Sequence, residues 1–511
     1  MAVTVIKQKP KFPVVPVGFE AIFVVSNDQA VANFQRVKFI ADIHIGTTHP
    51  NLSTTTDLVG TFKTTPNAKG VGMFDVRNVI ENYVSSDNLA TNGASYKGQT
   101  TTDFETHPIH LIDKYSKIRN SVRFLAVQFS VEYLGATDNA GNQDDNVVRK
   151  AVGTEVNSID YTMFNGYIKN NDFIFRGTPG TIFGAPNANF GFQTSIFFQG
   201  ADDKRWLTNA PTTQYATLSD YGSLAALNIA ANSLQVTFTY YDSNNSTISS
   251  ADTVVRNDAN GSYSVWSQDS EKRINYIGAF PGNLQNWSTN FANAITAGLA
   301  YYTVVATDIL SGTQLLETFT IHIDDPKNGI YSLIGGTSAR AFCPTCTDCT
   351  AQADEGRYDS IESNNVRLCW LNQWGAWDYF TFSQKAVKKV NTRSTTFTQL
   401  AGTWGEANYH INGYKGGTRK LRVNAKENIT VNTAFLQENF NVIFEELMNS
   451  PEVYMLRGYE SVTRTGDALM KYVVPVRVTT SSFTRKTIAN DRLIQYTFEL
   501  EKSHEMRTQT V

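Results

Sequence analysis

The chain has 511 residues, of which 18 % are charged and 12 % aromatic, with a formal net charge of −3. That length predicts about three domains, and a charged share below the roughly 25 % of ordinary globular proteins predicts β-sandwich faces that are polar through Thr, Ser, Asn and Gly. The near-neutral balance makes no electrostatic case for nucleic acid beyond local basic patches. No apolar window is long enough for a membrane span, and Met1-Ala-Val-Thr-Val-Ile-Lys7 lacks the apolar run of a signal peptide, so synthesis in the cytoplasm is expected.

Residues 1–205 read as an N-terminal β domain with a loop-rich excursion over 135–205. Pro10, Pro13 and Pro16 give an extended lead-in. Strands are predicted over 19–25 and 37–45, with a turn at Ser26-Asn-Asp-Gln29 after the first. Val76, Val79, Ile80 and Tyr83 recur at helical spacing behind Asp75, a good N-cap, which predicts a short helix over 76–84. Leu125, Val127, Phe129, Val131 and Tyr133 alternate with Ala126, Gln128, Ser130 and Glu132. That period of two predicts a strand with one face buried and one wet. The excursion is rich in Phe, Asn and Gly, and a stretch so poor in charge is expected to pack on its own domain or on a neighbouring subunit.

Residues 206–330 read as an immunoglobulin-like or fibronectin-III-like sandwich. Leu234, Val236, Phe238 and Tyr240 form one alternating row; Tyr302, Val304 and Ala306 lead into a hairpin at Ser311-Gly312, answered by Phe319, Ile321 and Ile323. The absence of a Cys…Trp…Cys arrangement argues against an antibody-type domain.

Residues 331–385 form a cysteine loop and aromatic connector. All four cysteines, Cys343, Cys346, Cys349 and Cys369, fall inside it. Two Cys-x2-Cys steps match the knuckle that brings thiolates to one metal ion, so these four are the candidate metal ligands and zinc the candidate cofactor. The alternative makes Cys369 a small hydrophobe in an aromatic strand. That strand belongs to 366–382, which holds Trp370, Trp374, Trp377, Tyr379, Phe380 and Phe382. A core strand, a turn at Gly375 and a second core strand is the reading favoured; an aromatic stacking platform for sugars or bases is the alternative.

Residues 386–511 read as a small C-terminal α+β domain. A helix is expected after Asn428–Thr433, capped by Thr433, with Leu436, Phe440, Ile443 and Leu447 on one face and Pro451 beyond its end. Strands follow at 452–456, at 473–476, where Pro475 marks an edge, and at 494–500. The expected fold class is therefore mainly β: multidomain β-sandwiches with a C-terminal α+β unit.

Catalytic signatures do not assemble. His107 and His110 lack a third ligand, Gly70-Val-Gly72 lacks the rest of a dinucleotide fingerprint, and Asp144-Asp145 and Asp324-Asp325 are neighbours whose side chains diverge on an extended chain. No catalytic residue is nominated, and a non-enzyme is expected.

Gly72–Tyr83, Arg367–Phe382, Ser450-Pro-Glu-Val-Tyr454 and Leu493–Phe498, with Arg205-Trp-Leu-Thr-Asn209, together resemble the structural tail or baseplate-region proteins of bacteriophages that infect Bacteroidetes, the crAss-like group included. Residues 135–205 and the cysteine cluster lie outside the resemblance. It implies a virion component located in the tail, a tail hub or baseplate-region protein that forms an oligomeric ring with copies of itself and with other tail or connector proteins. A glycan-binding receptor-recognition module, and after it a carbohydrate-active enzyme, are the alternatives.

Overall fold

The protein is described from a computed structural model. It describes residues 3–10, 14–87, 109, 115–118, 120–134, 148–151, 153–158, 161–167, 206–227, 234–248, 250–255, 273–309, 312, 314–323, 365–403, 405–411, 413–456, 473–485 and 494–507. The fold is mainly β, with five separate sheets among these residues. Two compact units are present: residues 1–343 with 372–378 and 461–466, and residues 344–371 with 379–460 and 467–511.

In the first unit, the strand Val122–Leu134 pairs along its length with Gln35–Gly46, and Leu58–Thr64 continues that sheet. A three-stranded sheet of Val5–Gln8, Ile22–Ser26 and Val71–Asp75 packs against it. Their facing apolar rows, among them Phe23, Val25, Phe39, Phe74, Val127 and Phe129, make one core. The ring of Phe23 meets that of Phe129 at 5.4 Å. The expectation of one wet face on the long strand fails: Ala126, Ser130 and Glu132, on the other side, are buried as well. Cross-strand ion pairs settle the charges there, Lys63 to Glu132 at 2.6 Å and Lys150 to Asp42 at 2.9 Å.

The predicted turn at 26–29 is the start of a helix, Asp28–Asn33, whose N-cap Asn27 accepts from the Ala30 amide at 3.0 Å. Asn and Asp serve turns and caps through the same side-chain-to-backbone bond, which is why the two readings cross here. The helix after Asp75 is shorter than predicted, Arg77–Ile80, with Asp75 accepting from the Arg77 amide at 3.0 Å.

Further along this unit a five-stranded sheet runs in the order Thr213–Ala216, Phe319–Ile323, Tyr301–Asp308, Leu234–Tyr241, Asp252–Val255. Its first pair is parallel. Leu234, Val236, Phe238 and Tyr240 are buried as their alternation predicts. Two helices that the sequence reading omits, Pro281–Trp287 and Thr289–Thr296, lie between its strands in sequence; Pro281 opens the first and the Ser288 hydroxyl caps the second at Phe291. Residues from early and late in the chain also share a sheet: Tyr115–Lys117 pairs with Ile274–Gly278, which pairs with Ser223–Leu227.

The second unit is built on an eight-stranded antiparallel sheet whose main path begins with Trp377–Phe382 and Val366–Leu371, passes through Val453–Leu456, Val473–Val478 and Thr497–Lys502, and ends with Gly417–Asn432 and Val387–Gln399. The first and last strands of that path are joined by residues 383–386 alone. Six strand spacings would separate them by ~29 Å in a flat sheet, whereas so short a link reaches only ~18 Å. The sheet therefore curls on itself. Phe382, Phe444, Tyr496 and Phe498 fill the inside of the curl, with ring contacts from 5.4 to 6.4 Å.

The helix of this unit, Asn441–Asn449, begins later than expected, behind a 3-10 turn at Glu438–Phe440. Thr433 is not its cap; residues up to Asn432 continue the strand, and the Thr433 hydroxyl accepts from the Tyr496 amide at 2.9 Å. Pro475 lies in an interior strand rather than at an edge. Its carbonyl accepts from the Ser503 amide at 3.1 Å, just past the end of Thr497–Lys502, so the N–H that proline lacks falls at the margin of that pairing and not against Val453–Leu456.

Candidate functional site

The aromatic stretch 366–382 is the hairpin the sequence predicts: Val366–Leu371, a turn, and Trp377–Phe382. Gly375 sits at φ +74°, and a Cβ there would come within 1.9 Å of the Asn165 carbonyl oxygen. Asn372 organises the turn. Its Oδ1 accepts from the amides of Trp374 and Ala376, both at 3.0 Å, and its Nδ2 donates to the Leu207 carbonyl at 2.9 Å. Trp370, Trp374 and Trp377 are 0 %, 1 % and 2 % exposed. Rings enclosed to that degree have no free face, so the stacking-platform reading of this stretch falls.

Asp378 lies buried at the end of the same turn, its carboxyl pushed up to about 7 by desolvation, with the Thr208 hydroxyl and the Asn372 amide pulling the other way. It is a carboxyl retained in a dry site. Cys369 is fully buried on the first strand, and burial pushes its thiol well above the ordinary range. Cys343, Cys346 and Cys349 lie outside the described residues, as do His107 and His110. Among the described residues no three His, Cys, Asp or Glu side chains gather as metal ligands.

A second aromatic feature crosses the five-stranded sheet. Tyr215, His322, Tyr301 and Tyr241 occupy directly paired positions on four successive strands. Their centroids are 5.4, 5.2 and 4.9 Å apart, with planes within 34° of parallel. Near-parallel rings at such separations lie over one another, each covering its neighbour's face. The row braces the sheet, and its end ring, Tyr215 on the edge strand, is 59 % exposed.

The feature left open to solvent is the last hairpin. Val387–Gln399 and Gly417–Asn432 pair over thirteen positions, and the inner strand finds its other neighbours only from Asn424 onward. Beyond that point, among the described residues, the two strands pair with nothing but each other. Residues 387–396 and 417–422 are exposed without alternation, so both faces of this arm are wet. A lone two-stranded ribbon is marginally stable in water, and the Thr- and Val-rich strands supply the β-propensity that holds it.

Between Val387 and Lys426 stand eight Lys or Arg and one acidic residue, Glu406, a net of +7 in a chain whose total is −3; the other residues together carry −10. A bulge between Thr395 and Thr396 leaves Leu421 unpaired and sets Arg422 opposite Thr395 and Arg419 opposite Phe397. Both arginines thereby share one face with Lys389 and Arg393. At the base, Lys388 pairs with Glu427 at 2.8 Å and Lys426 with Glu501 at 3.1 Å. Farther out, Lys389, Arg393, Lys415, Arg419, Lys420 and Arg422 enter no ion pair among the described residues. The end of the arm carries Leu400, Tyr409, Ile411 and Tyr414, all more than half exposed.

The sequence reading passes over this arm because it searches for apolar alternation, which a ribbon wet on both faces does not have. The run of cations from Lys388 to Lys426, set against a negative chain, is the signal that finds it. A scan against protein-family models finds no match to the chain, and a search of the curated proteins finds none either.

Proposed function

We propose that this protein is a structural component of a bacteriophage virion, a tail hub or baseplate-region protein that assembles into an oligomeric ring through protein–protein contacts. The observation that carries the reading is the arm at 387–426. A basic ribbon exposed on both faces, ending in large apolar side chains, is what a subunit extends to a neighbour; a catalytic or small-ligand site would be concave and pre-formed. The sequence resemblance over 72–83, 205–209, 367–382, 450–454 and 493–498 supports the tail assignment. Burial of the three tryptophans weighs against the glycan-binding alternative.

Sedimentation and electron microscopy of the purified chain test the reading. Closed rings of one subunit number are the expected result. A chain that stays monomeric at all accessible concentrations and is retained on a polysaccharide affinity gel would sink it.

A further inference from the structure

We infer that the arm at 387–426 docks on the acidic body of a second copy of this chain. This rests on the assembly reading above and names the partner it leaves open. Three observations lead to it.

The first is charge. The arm is +7 and the remaining residues are −10, so two copies attract most when the arm of one meets the body of the other. Such complementarity steers encounter and fixes register. The same −10 body would be repelled by a nucleic-acid backbone, although a two-stranded ribbon has the width to enter a major groove.

The second is the disposition of side chains. Lys389, Arg393, Arg422 and Arg419 form one basic face, and none of them is neutralised by a described acidic residue of its own chain. At the far end Leu400, Tyr409, Ile411 and Tyr414 are 54–74 % exposed. Apolar anchors at the tip and arginines along the shaft are the residue types that carry protein–protein interfaces. Phosphate recognition would use the cations and leave Leu400 and Ile411 in water.

The third is size. Residues 389–422 number 34, and a stable interface draws on about 20–30 residues from each partner. The arm alone can supply one side of such an interface, and its outer pairs, with no third strand beside them among the described residues, gain the neighbour that an isolated ribbon lacks. The contact is heterologous, arm to body, so each copy both gives and receives and the series can close into a ring.

Two variants of the full chain test this. In the first, Arg393→Glu, Arg419→Glu and Arg422→Glu are combined. In the second, residues 394–423 are replaced by Asn-Gly, which closes the ribbon between the register partners Arg393 and Asn424. Mass distributions are measured by sedimentation at low and high salt, with thermal melting as the folding control. The expected outcome is an assembly in the wild type that weakens tenfold or more in 0.5 M salt and in the triple variant. The shortened chain should be monomeric and melt as the wild type does. Assemblies that persist in the shortened chain overturn the arm's role and leave the ring reading standing. A wild-type chain that never associates overturns both. A monomer whose arm retards a duplex oligonucleotide, with retardation lost in the triple variant, overturns the second copy in favour of nucleic acid.

Discussion

Two hairpins follow one another in this chain, separated only by residues 383–386, and they obey opposite rules. The first, Val366–Phe382, buries three tryptophans and places a carboxyl and a thiol in dry surroundings. The second, Val387–Asn432, leaves the outer part of both strands in water and carries the largest local excess of positive charge considered above. The same backbone device serves as core in one case and as projection in the other. Side-chain chemistry decides between them: aromatic rings gain by leaving water, whereas Lys, Arg and Thr lose little by staying in it. Stability is thus concentrated in one hairpin and interaction in its neighbour.

The sharpest way to break this contrast is Trp370→Ala. If the first hairpin is core, denaturant unfolding should lose roughly 3–5 kcal/mol; an unchanged midpoint would remove the distinction. Asp378→Asn comes next and reads through pH. The folded carboxyl is held at about 7 against an ordinary 3.8, so the folded state keeps a proton that the unfolded chain gives up. This group's contribution is therefore greatest in acid and is lost as pH rises from about 4 to about 7. The Asn variant should be the more stable of the two at pH 8, with the gap closing towards pH 4. A gap that is constant with pH would mean Asp378 is not held protonated.

Gly375→Ala should cost more than ~2 kcal/mol, because a positive φ is unfavourable for any side chain and the new Cβ meets the Asn165 carbonyl. The smallest effects belong to the arm. Arg393→Ala and Ile411→Ser should each change folding stability by no more than about 0.5 kcal/mol, measured on monomer so that assembly does not enter. A large loss from either would show the arm packed into its own chain.

Much of the fold is legible in the sequence where a strand has one apolar side. The rows at 234–240 and 302–306 are read correctly because burial on alternate residues leaves a period of two, while the strand at 125–133 and the hairpin around Gly375 are found by their apolar content although they are buried on both sides. The helices at Asp28–Asn33 and Thr289–Thr296 are hidden because Asn27 and Ser288, which cap them, are turn formers as readily as caps. Nothing local reports that Tyr115–Lys117 pairs with Ile274–Gly278, or that the second unit's sheet curls; those are decided by contacts far apart in sequence. The candidate site escapes for the opposite reason. The arm has no buried side to imprint a period, so its identity lies in charge, and the overall charge of −3 masks a +7 segment within a negative chain.

The bulge at Leu421 decides which way Arg419 faces, as a matter of register and not of composition. Along a ribbon a residue added in register on one strand turns everything beyond it over, whereas one left out of the pairing does not. Because Leu421 stands unpaired, Arg419 faces the same way as Arg422 and Arg393. Deleting that single leucine would close the ladder with Arg422 still opposite Thr395 and Arg419 still opposite Phe397, so every cation would keep its face. The bulge is thus a place where the arm can lose one residue without redistributing its charge.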